Sequence, residues 1–283
     1  MLRTQSLTVH RANRNLLDQV TIQIQPGQIL CIVGANGAGK STLLKALAGD
    51  IIPTSGEVLL HDRPLQEWNP LALAQQRAVM PQSSTLSFPF RVEEVVAMGR
   101  APFEGQCSQS QNLEMVRSAM RTAGVAHLQG RIYTTLSGGE QQRVHLARVF
   151  AQLSPGTQDT HPTFLLLDEP TSNLDLQYQY AVLHAVRKLT QSNTGVVMVL
   201  HDLNLASLFA DRIVILKQGH LVFEGVPEEA LTPENLSYAF QIRTHLIRHP
   251  ETGTPYVIPS VQEATESAQF YLITDFHHKQ FGG

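Results

Sequence analysis

The sequence lacks the features that hold a chain in a bilayer or cross-link it outside the cell. No run approaches the ~18 to 20 apolar residues needed to span a membrane. Met1 to Val9 has no long apolar stretch of the secretory type. Only Cys31 and Cys107 are cysteines, which excludes a disulfide framework and suits a reducing compartment. Cys31 lies within an apolar run and reads as a small buried hydrophobe. Neither charge sign dominates: a formal net charge of −3 argues against a protein that coats nucleic acid. If the chain works at a membrane, other subunits must hold it there.

What is present is a core. At 283 residues and 42% hydrophobic composition, the chain can bury one large α/β domain or two small ones. Short β-type runs at Leu7 to His10 and Thr21 to Ile24 come first. Ile29 to Val33 is a continuous apolar run that leads into a glycine-rich loop, and Lys40 to Ala48 then sets Leu43, Leu44 and Leu47 at helical spacing. Strand-like runs follow at Glu57 to Leu60 and Ala78 to Met80. Val92 to Gly99 and Asn112 to Ala123 read as helices with no strand nearby, so residues 91–150 form a helical insert in the α/β core. Strands return at Phe164 to Leu167, Val196 to Leu200, Arg212 to Leu216 and His220 to Phe223. The first two are apolar throughout, as parallel strands covered on both faces are. Ser154 to Pro162 reads as an exposed loop. Beyond Pro250 periodicity fades, and residues 241–283 stand apart as an appendage to a domain over 1–240.

Two segments carry phosphate chemistry. Gly34-Ala35-Asn36-Gly37-Ala38-Gly39-Lys40-Ser41 matches the phosphate-loop pattern in its required context of strand, loop and helix, with Thr42 next in the helix. Its glycines let backbone N–H groups face the phosphates of a nucleotide. The helix that follows adds partial positive charge, and Lys40 a full one. The Ser41 hydroxyl suits Mg²⁺. In Phe164-Leu165-Leu166-Leu167-Asp168-Glu169, four apolar residues define a buried strand. Two carboxylates follow at its C-terminal end, where open α/β sheets bind ligands. Asp168 is placed to hold Mg²⁺ through water, and Glu169 to orient or deprotonate the water that attacks a γ-phosphate.

Many NTPases share those two segments. Leu136-Ser137-Gly138-Gly139-Glu140-Gln141 narrows the field. Locally, Ser137 and Glu140 form a capping box that opens a helix, and a helix N-terminus with free N–H groups is also an anion site. With this segment the sequence resembles the ABC ATPase family, over approximately Leu2 to Phe240. The resemblance implies an α/β P-loop NTPase fold with a RecA-like mixed, largely parallel sheet. It adds an N-terminal antiparallel β subdomain and a helical signature subdomain. It implies ATP and Mg²⁺ as ligands, and a head-to-tail dimer in which Ser137, Gly138, Gly139 and Glu140 of one copy cover the ATP of the other. Gln82 matches the glutamine that contacts Mg²⁺ and water, Ser172-Asn173-Leu174-Asp175 the loop that crosses the dimer interface, and His201 the switch histidine at the γ-phosphate. One departure stands out. Where the family has an aromatic residue to stack on adenine, this sequence reads Val9-His10-Arg11-Ala12, which leaves His10 or Arg11 for that role.

A single cassette without a membrane domain resembles an importer subunit, which implies two transmembrane permease subunits and, through them, an extracytoplasmic substrate-binding protein. It places the chain at the cytoplasmic face of a bacterial inner membrane. The segment from Gln82 to Val96, with Gly99-Arg100-Ala101-Pro102, resembles the importers of iron chelates, haem and cobalamin, and is most similar to the haemin-import branch. Ferric siderophore or cobalamin import is the alternative. A soluble ABC ATPase of translation or DNA repair, and a nucleotide-binding regulator without turnover, are readings of another class. Leu86, Phe88 and Phe90 are placed either to form an apolar groove for a membrane partner or to fill the local core. His127, His145 and His184 read as packing or surface residues, and His277 and His278 in the tail are not needed as haem ligands.

Overall fold

A computed structural model gives the architecture; it describes residues 1–11, 14–82, 86–153 and 162–261. The chain opens with β1 (Leu2–Arg11), β2 (Arg14–Val20) and β3 (Gln23–Ile24), then β4 (Ile29–Gly34) and helix α1 (Lys40–Ala48). Next come β5 (Ser55–Leu60), β6 (Arg63–Pro64), α2 (Pro70–Gln76) and β7 (Arg77–Met80). The helical insert contains α3 (Val92–Ala97), α4 (Gln109–Thr122) and α5 (Gly138–Leu153). The core resumes with β8 (Thr163–Asp168), α6 (Leu176–Thr190), β9 (Thr194–Val199), α7 (Leu203–Phe209), β10 (Arg212–Lys217) and β11 (His220–Gly225). Two short helices, α8 (Pro227–Ala230) and α9 (Pro233–Phe240), and a hairpin of β12 (Thr244–Arg248) and β13 (Pro255–Pro259) complete the described chain.

The central sheet has six strands in the order β11-β10-β4-β9-β8-β7, parallel except for β11. β4 and β9 are buried at every position, which is why their sequences are unbroken apolar runs. Alternation along β4 divides its side chains between two cores. Cys31 and Val33 face a core shared with α3, α4 and α5, whereas Leu30 and Ile32 face α1 and the N-terminal antiparallel sheet. Burial pushes the Cys31 thiol far above its ordinary range, so it stays protonated and inert.

The structure departs from the sequence pattern in three places. β1 is ten residues long and pairs with β2 through register shifts at Leu7 to His10, so the period-2 signal is broken just where a strand was expected. As part of the same N-terminal departure, only Gln23–Ile24 of the expected Thr21 to Ile24 run is strand. The helix expected to reach Gly99 tightens at Met98 into a 3-10 turn, Met98–Phe103, because Pro102 lacks an N–H and crowds the carbonyl of Met98. The third departure is the β12–β13 hairpin, inside the segment set apart as an appendage. Asn204 on α7 pairs with the backbone of Val257, accepting from its N–H at 2.7 Å and donating to its carbonyl at 3.2 Å. Ser207 donates to the Pro255 carbonyl at 2.6 Å, and Val257 joins the main core. Only Thr244 and Val257 of the hairpin are buried, too few to leave an alternation in the sequence. Most of the Ser154 to Pro162 loop, together with His277 and His278, lies outside the described residues.

Candidate active site

β4 ends in the glycine-rich loop at the carboxyl edge of the sheet. A Cβ on Gly34 would come within 2.4 Å of the Leu216 carbonyl, so only glycine lets the loop pass this close to β10. Gly39 turns the chain into α1 at φ 104°, and no side chain caps the helix, nor is there an acidic residue in its first turn. The first N–H groups of α1 are therefore left for an anion. Asn36 and Gly37 are exposed and Ala38 is buried, anchored where its carbonyl accepts from Gly219 at 2.9 Å. Lys40 is 6% exposed, and its Nζ donates to the carbonyls of Gly34 at 2.8 Å and Ala35 at 3.0 Å. Burial pulls the Lys40 pKa below its ordinary value, while Glu169 and Asp168 act in the opposite sense.

Ser41, half-buried beside Thr42, donates to Asp168 Oδ1 at 3.3 Å. Asp168 is 3% exposed at the end of β8, and burial raises its pKa against the opposing effect of the Ser41 hydrogen bond. One residue on, Glu169 leaves the strand in a left-handed conformation, φ 53°. Its Oε2 accepts from Gln82 Nε2 at 2.9 Å, and its Oε1 lies 2.5 Å from His201 Nε2. These residues, far apart in sequence, meet because β7, β8, β9 and β4 are neighbours and end at one edge. Gln82 follows β7 after Pro81, and His201 follows β9 after Leu200. Six predicted residues, Lys40, Ser41, Gln82, Asp168, Glu169 and His201, thus converge.

The Leu136 to Gln141 segment behaves differently. Its capping box forms as expected: Glu140 Oε2 accepts from the Ser137 N–H at 2.8 Å and from its hydroxyl at 3.0 Å, while Ser137 Oγ accepts from the Glu140 N–H at 3.3 Å. These bonds hold the Glu140 carboxyl below its usual range. Ser137 and Gly138 are exposed, and a Cβ on Gly138 would meet nothing. Among the described residues, no hydrogen bond joins Ser137, Gly138, Gly139 or Glu140 to the phosphate loop of the same chain.

A model of the ABC transporter family matches residues 17–172. The chain belongs to the ABC transporter family. Among its relatives is the hemin import ATP-binding protein HmuV of Gloeobacter violaceus, 50% identical over 92% of this chain and 94% of that protein. The HmuV of Pseudomonas aeruginosa is 45% identical over 91% of this chain and 99% of its own length. Among solved structures, a metal-chelate type ABC transporter in an inward-facing conformation superposes with a TM-score of 0.74 at 27% identity, over 92% of this chain and 98% of that one. The ATP-binding cassette MJ0796, a dimer in a post-hydrolysis state bound to ADP and Pi, does so with a TM-score of 0.69 at 25% identity, over 80% and 98% of the two chains. An ABC transporter cassette with an α/β mixed sheet is thus the fold of this chain, and it binds ATP.

Near the N-terminus, His10 Nδ1 is 2.8 Å from Asn15 Oδ1 and its backbone N–H donates to Thr54 Oγ1 at 2.9 Å, while Arg11 is exposed. The Leu86 to Phe90 segment divides between its two readings. Phe88 is 70% exposed, whereas Leu86 and Phe90 pack against the main core. His145 is a buried packing residue with its Nε2 2.7 Å from the Tyr133 hydroxyl, whereas His184 is a surface residue that meets Phe209 edge-on. Gln142 was missed. Its side chain donates to the Glu169 carbonyl at 3.1 Å and to Ser172 Oγ at 3.2 Å. The one hint in the sequence is helical spacing, since Gln142 lies three residues after Gly139 and so on the same face of α5.

Proposed function

We propose that this chain is the ATP-hydrolysing subunit of a hemin importer, working as one half of an ATP-sandwich dimer. The observation that carries hydrolysis is the Glu169 carboxylate, held by Gln82 and His201 beside the Ser41–Asp168 pair and Lys40. A carboxylate oxygen has acceptor capacity beyond one bond, so Glu169 can still accept from a water. In this reading the phosphate-loop N–H groups and Lys40 bind the β- and γ-phosphates, and Lys40 exchanges its loop carbonyls for phosphate oxygens. Glu169 orients the water and takes its proton as the oxygen bonds to the γ-phosphorus and the bond to the bridging oxygen breaks, leaving ADP and phosphate. His201 contacts the γ-phosphate.

The donors fit Mg²⁺: Ser41, Asp168 and Gln82 offer hard oxygens. No cluster of three or more His, Cys, Asp or Glu able to hold a metal occurs among the described residues. When bound beside Ser41, Asp168 and Gln82, the ion would offset the charge of the phosphates. Ser137, Gly138, Gly139 and Glu140 of one copy cover the ATP of the second. We read residues 1–240 as one ATPase domain with a helical insert over 91–150, and 241–283 as an appendage whose β12–β13 hairpin docks on that domain. The insert and Phe88 engage two permease subunits at the cytoplasmic face of the inner membrane, with an extracytoplasmic binding protein beyond them. Among the described residues, no helix is long and apolar enough to cross a membrane, consistent with peripheral attachment. Hemin as cargo is supported by relatives such as those of Gloeobacter and Pseudomonas, matched over nearly their whole length.

The test is to co-purify the chain with its membrane partner and measure ATPase activity with haem, ferric siderophores or cobalamin. Stimulation by haem alone is expected; stimulation by cobalamin or a siderophore instead overturns the cargo, and absence of ATPase activity overturns the enzyme.

A further inference from the structure

Glu169 occupies a conformation that non-glycine residues seldom adopt, and such backbone persists only where its surroundings over-determine it. Three bonds do so here. Its N–H donates to the Val199 carbonyl at 3.2 Å, and its carbonyl accepts from Ser172 Oγ at 2.9 Å and Gln142 Nε2 at 3.1 Å. The last of these comes from α5, the helix that begins at Gly138. The same helix is fixed to the segment after Glu169 at two further points. A Cβ on Gly139 would lie 3.3 Å from Leu174 Cδ2 and 3.4 Å from the Asn173 carbonyl, so the first turn sits directly on that loop. Arg143, 6% exposed, stacks its guanidinium 3.8 Å from the Tyr178 ring centre on α6. The first turns of α5 and the chain from Glu169 to Tyr178 are therefore joined at three points.

We propose that Gln142 is a positioning residue: it fixes the main chain of Glu169 and so ties turnover in one ATP site to the signature helix that covers the other. The inference rests on the reading of Glu169 as the group that activates water and of Ser137 as a cover for the second copy's nucleotide. In a head-to-tail dimer, Ser137 touches the partner's ATP while Glu169 serves its own. Gln142 is one turn from the first and bonded to the second. A shift of α5 on closure around the partner's nucleotide is thereby delivered to the Glu169 backbone.

The experiment measures ATPase activity of the purified full chain against ATP concentration in wild type, Gln142→Met, Gln142→Glu, Ser172→Ala and Glu169→Gln, with melting temperatures alongside. Gln142→Met keeps the reach but has no donor. We expect kcat to fall roughly tenfold, from the loss of two donated bonds, with KM within about twofold of wild type. The Hill coefficient for ATP should fall from near ~2 toward ~1. Gln142→Glu has the same shape but donates only when protonated, so its kcat relative to wild type should recover as pH is lowered, whereas that of Gln142→Met should not. Ser172→Ala removes one of the two side-chain bonds to the Glu169 carbonyl and should give a smaller kcat loss of the same kind. Wild-type kcat in Gln142→Met overturns the proposal, as does a Hill coefficient already near ~1 in the wild type. A kcat loss that tracks a lowered melting temperature, without the pH recovery of Gln142→Glu, also overturns it. Glu169→Gln separates the two levels: wild-type turnover there sinks the assignment of Glu169 itself, whereas an inactive Glu169→Gln beside a fully active Gln142→Met sinks only the role of Gln142.

Discussion

The phosphate loop and the Leu136 to Gln141 segment are both glycine-rich turns into a helix, yet the fold treats them in opposite ways. α1 has no capping side chain and no acid in its first turn; its Lys40 bonds back to the loop carbonyls and its Ser41 to Asp168. α5 is capped by the Ser137–Glu140 box, Ser137 and Gly138 are exposed, and a Cβ on Gly138 would meet nothing. The first half of the site is assembled by one chain. In the proposed dimer the second half is completed by the other copy, where the N-terminus of α5 would meet the partner's nucleotide.

Six substitutions break or sharpen that contrast. The largest effect belongs to Glu169→Gln, expected to reduce hydrolysis by at least about 100-fold while ATP binding persists and a closed dimer accumulates. Steady-state ATPase assays and size-exclusion chromatography with ATP read both. Next, Lys40→Ala should weaken ATP binding to the single chain by more than tenfold, about 1.4 kcal/mol or more, through lost charge at the phosphates. Ser137→Arg should leave that binding nearly intact, measured by equilibrium titration, yet stop hydrolysis. Mixing the two variants makes a dimer with one intact composite site. Recovery of ATPase activity on mixing is therefore expected, and its absence counts against the shared site.

Asp168→Asn tests the buried acid. Because burial raises the Asp168 pKa, the folded chain holds that proton more tightly than the unfolded one. Wild-type stability therefore declines as pH rises from the unfolded carboxylate range through the folded pKa. In the nucleotide-free chain, Asp168→Asn should melt about 2 °C higher near neutral pH, with the gain vanishing below about pH 4. Scanning calorimetry at several pH values checks the sign. The smallest effect is Phe88→Ser, which should leave the melting temperature within about 1 °C while loosening association with the membrane partner, whereas Phe90→Ser should cost about 1–2 kcal/mol of stability.

Much of this site was legible in sequence because its parts are local. A loop that cradles phosphate needs glycines, a lysine and a hydroxyl at fixed spacing, and a strand that delivers two carboxylates needs an apolar run before them. Gln82 and His201 were legible only by resemblance. Nothing local marks a glutamine after Met80-Pro81 or a histidine after Leu200; their role comes from β7, β8 and β9 lying side by side. Gln142 was not legible, since its partner is a backbone carbonyl in another segment. The N-terminal strands and the β12–β13 hairpin were blurred for a related reason. Register shifts in one, and a single docked face in the other, remove the alternation that marks a strand.

The sequence by itself determined the central apolar strands, the helix that starts at Lys40, the phosphate loop, the capping box at Ser137 and the identity of the acids after Leu167. Each is set by neighbours within a few residues along the chain. Tertiary structure alone decided that Glu169 is gripped from the ends of β7 and β9 and from α5, that Phe90 is packed while Phe88 is exposed, and that the hairpin joins the core through Asn204 and Ser207. It also decided that, among the described residues, no hydrogen bond joins the Ser137 to Glu140 segment to the phosphate loop of the same chain. Those outcomes depend on strand order and helix docking, which bring together residues that no local pattern relates.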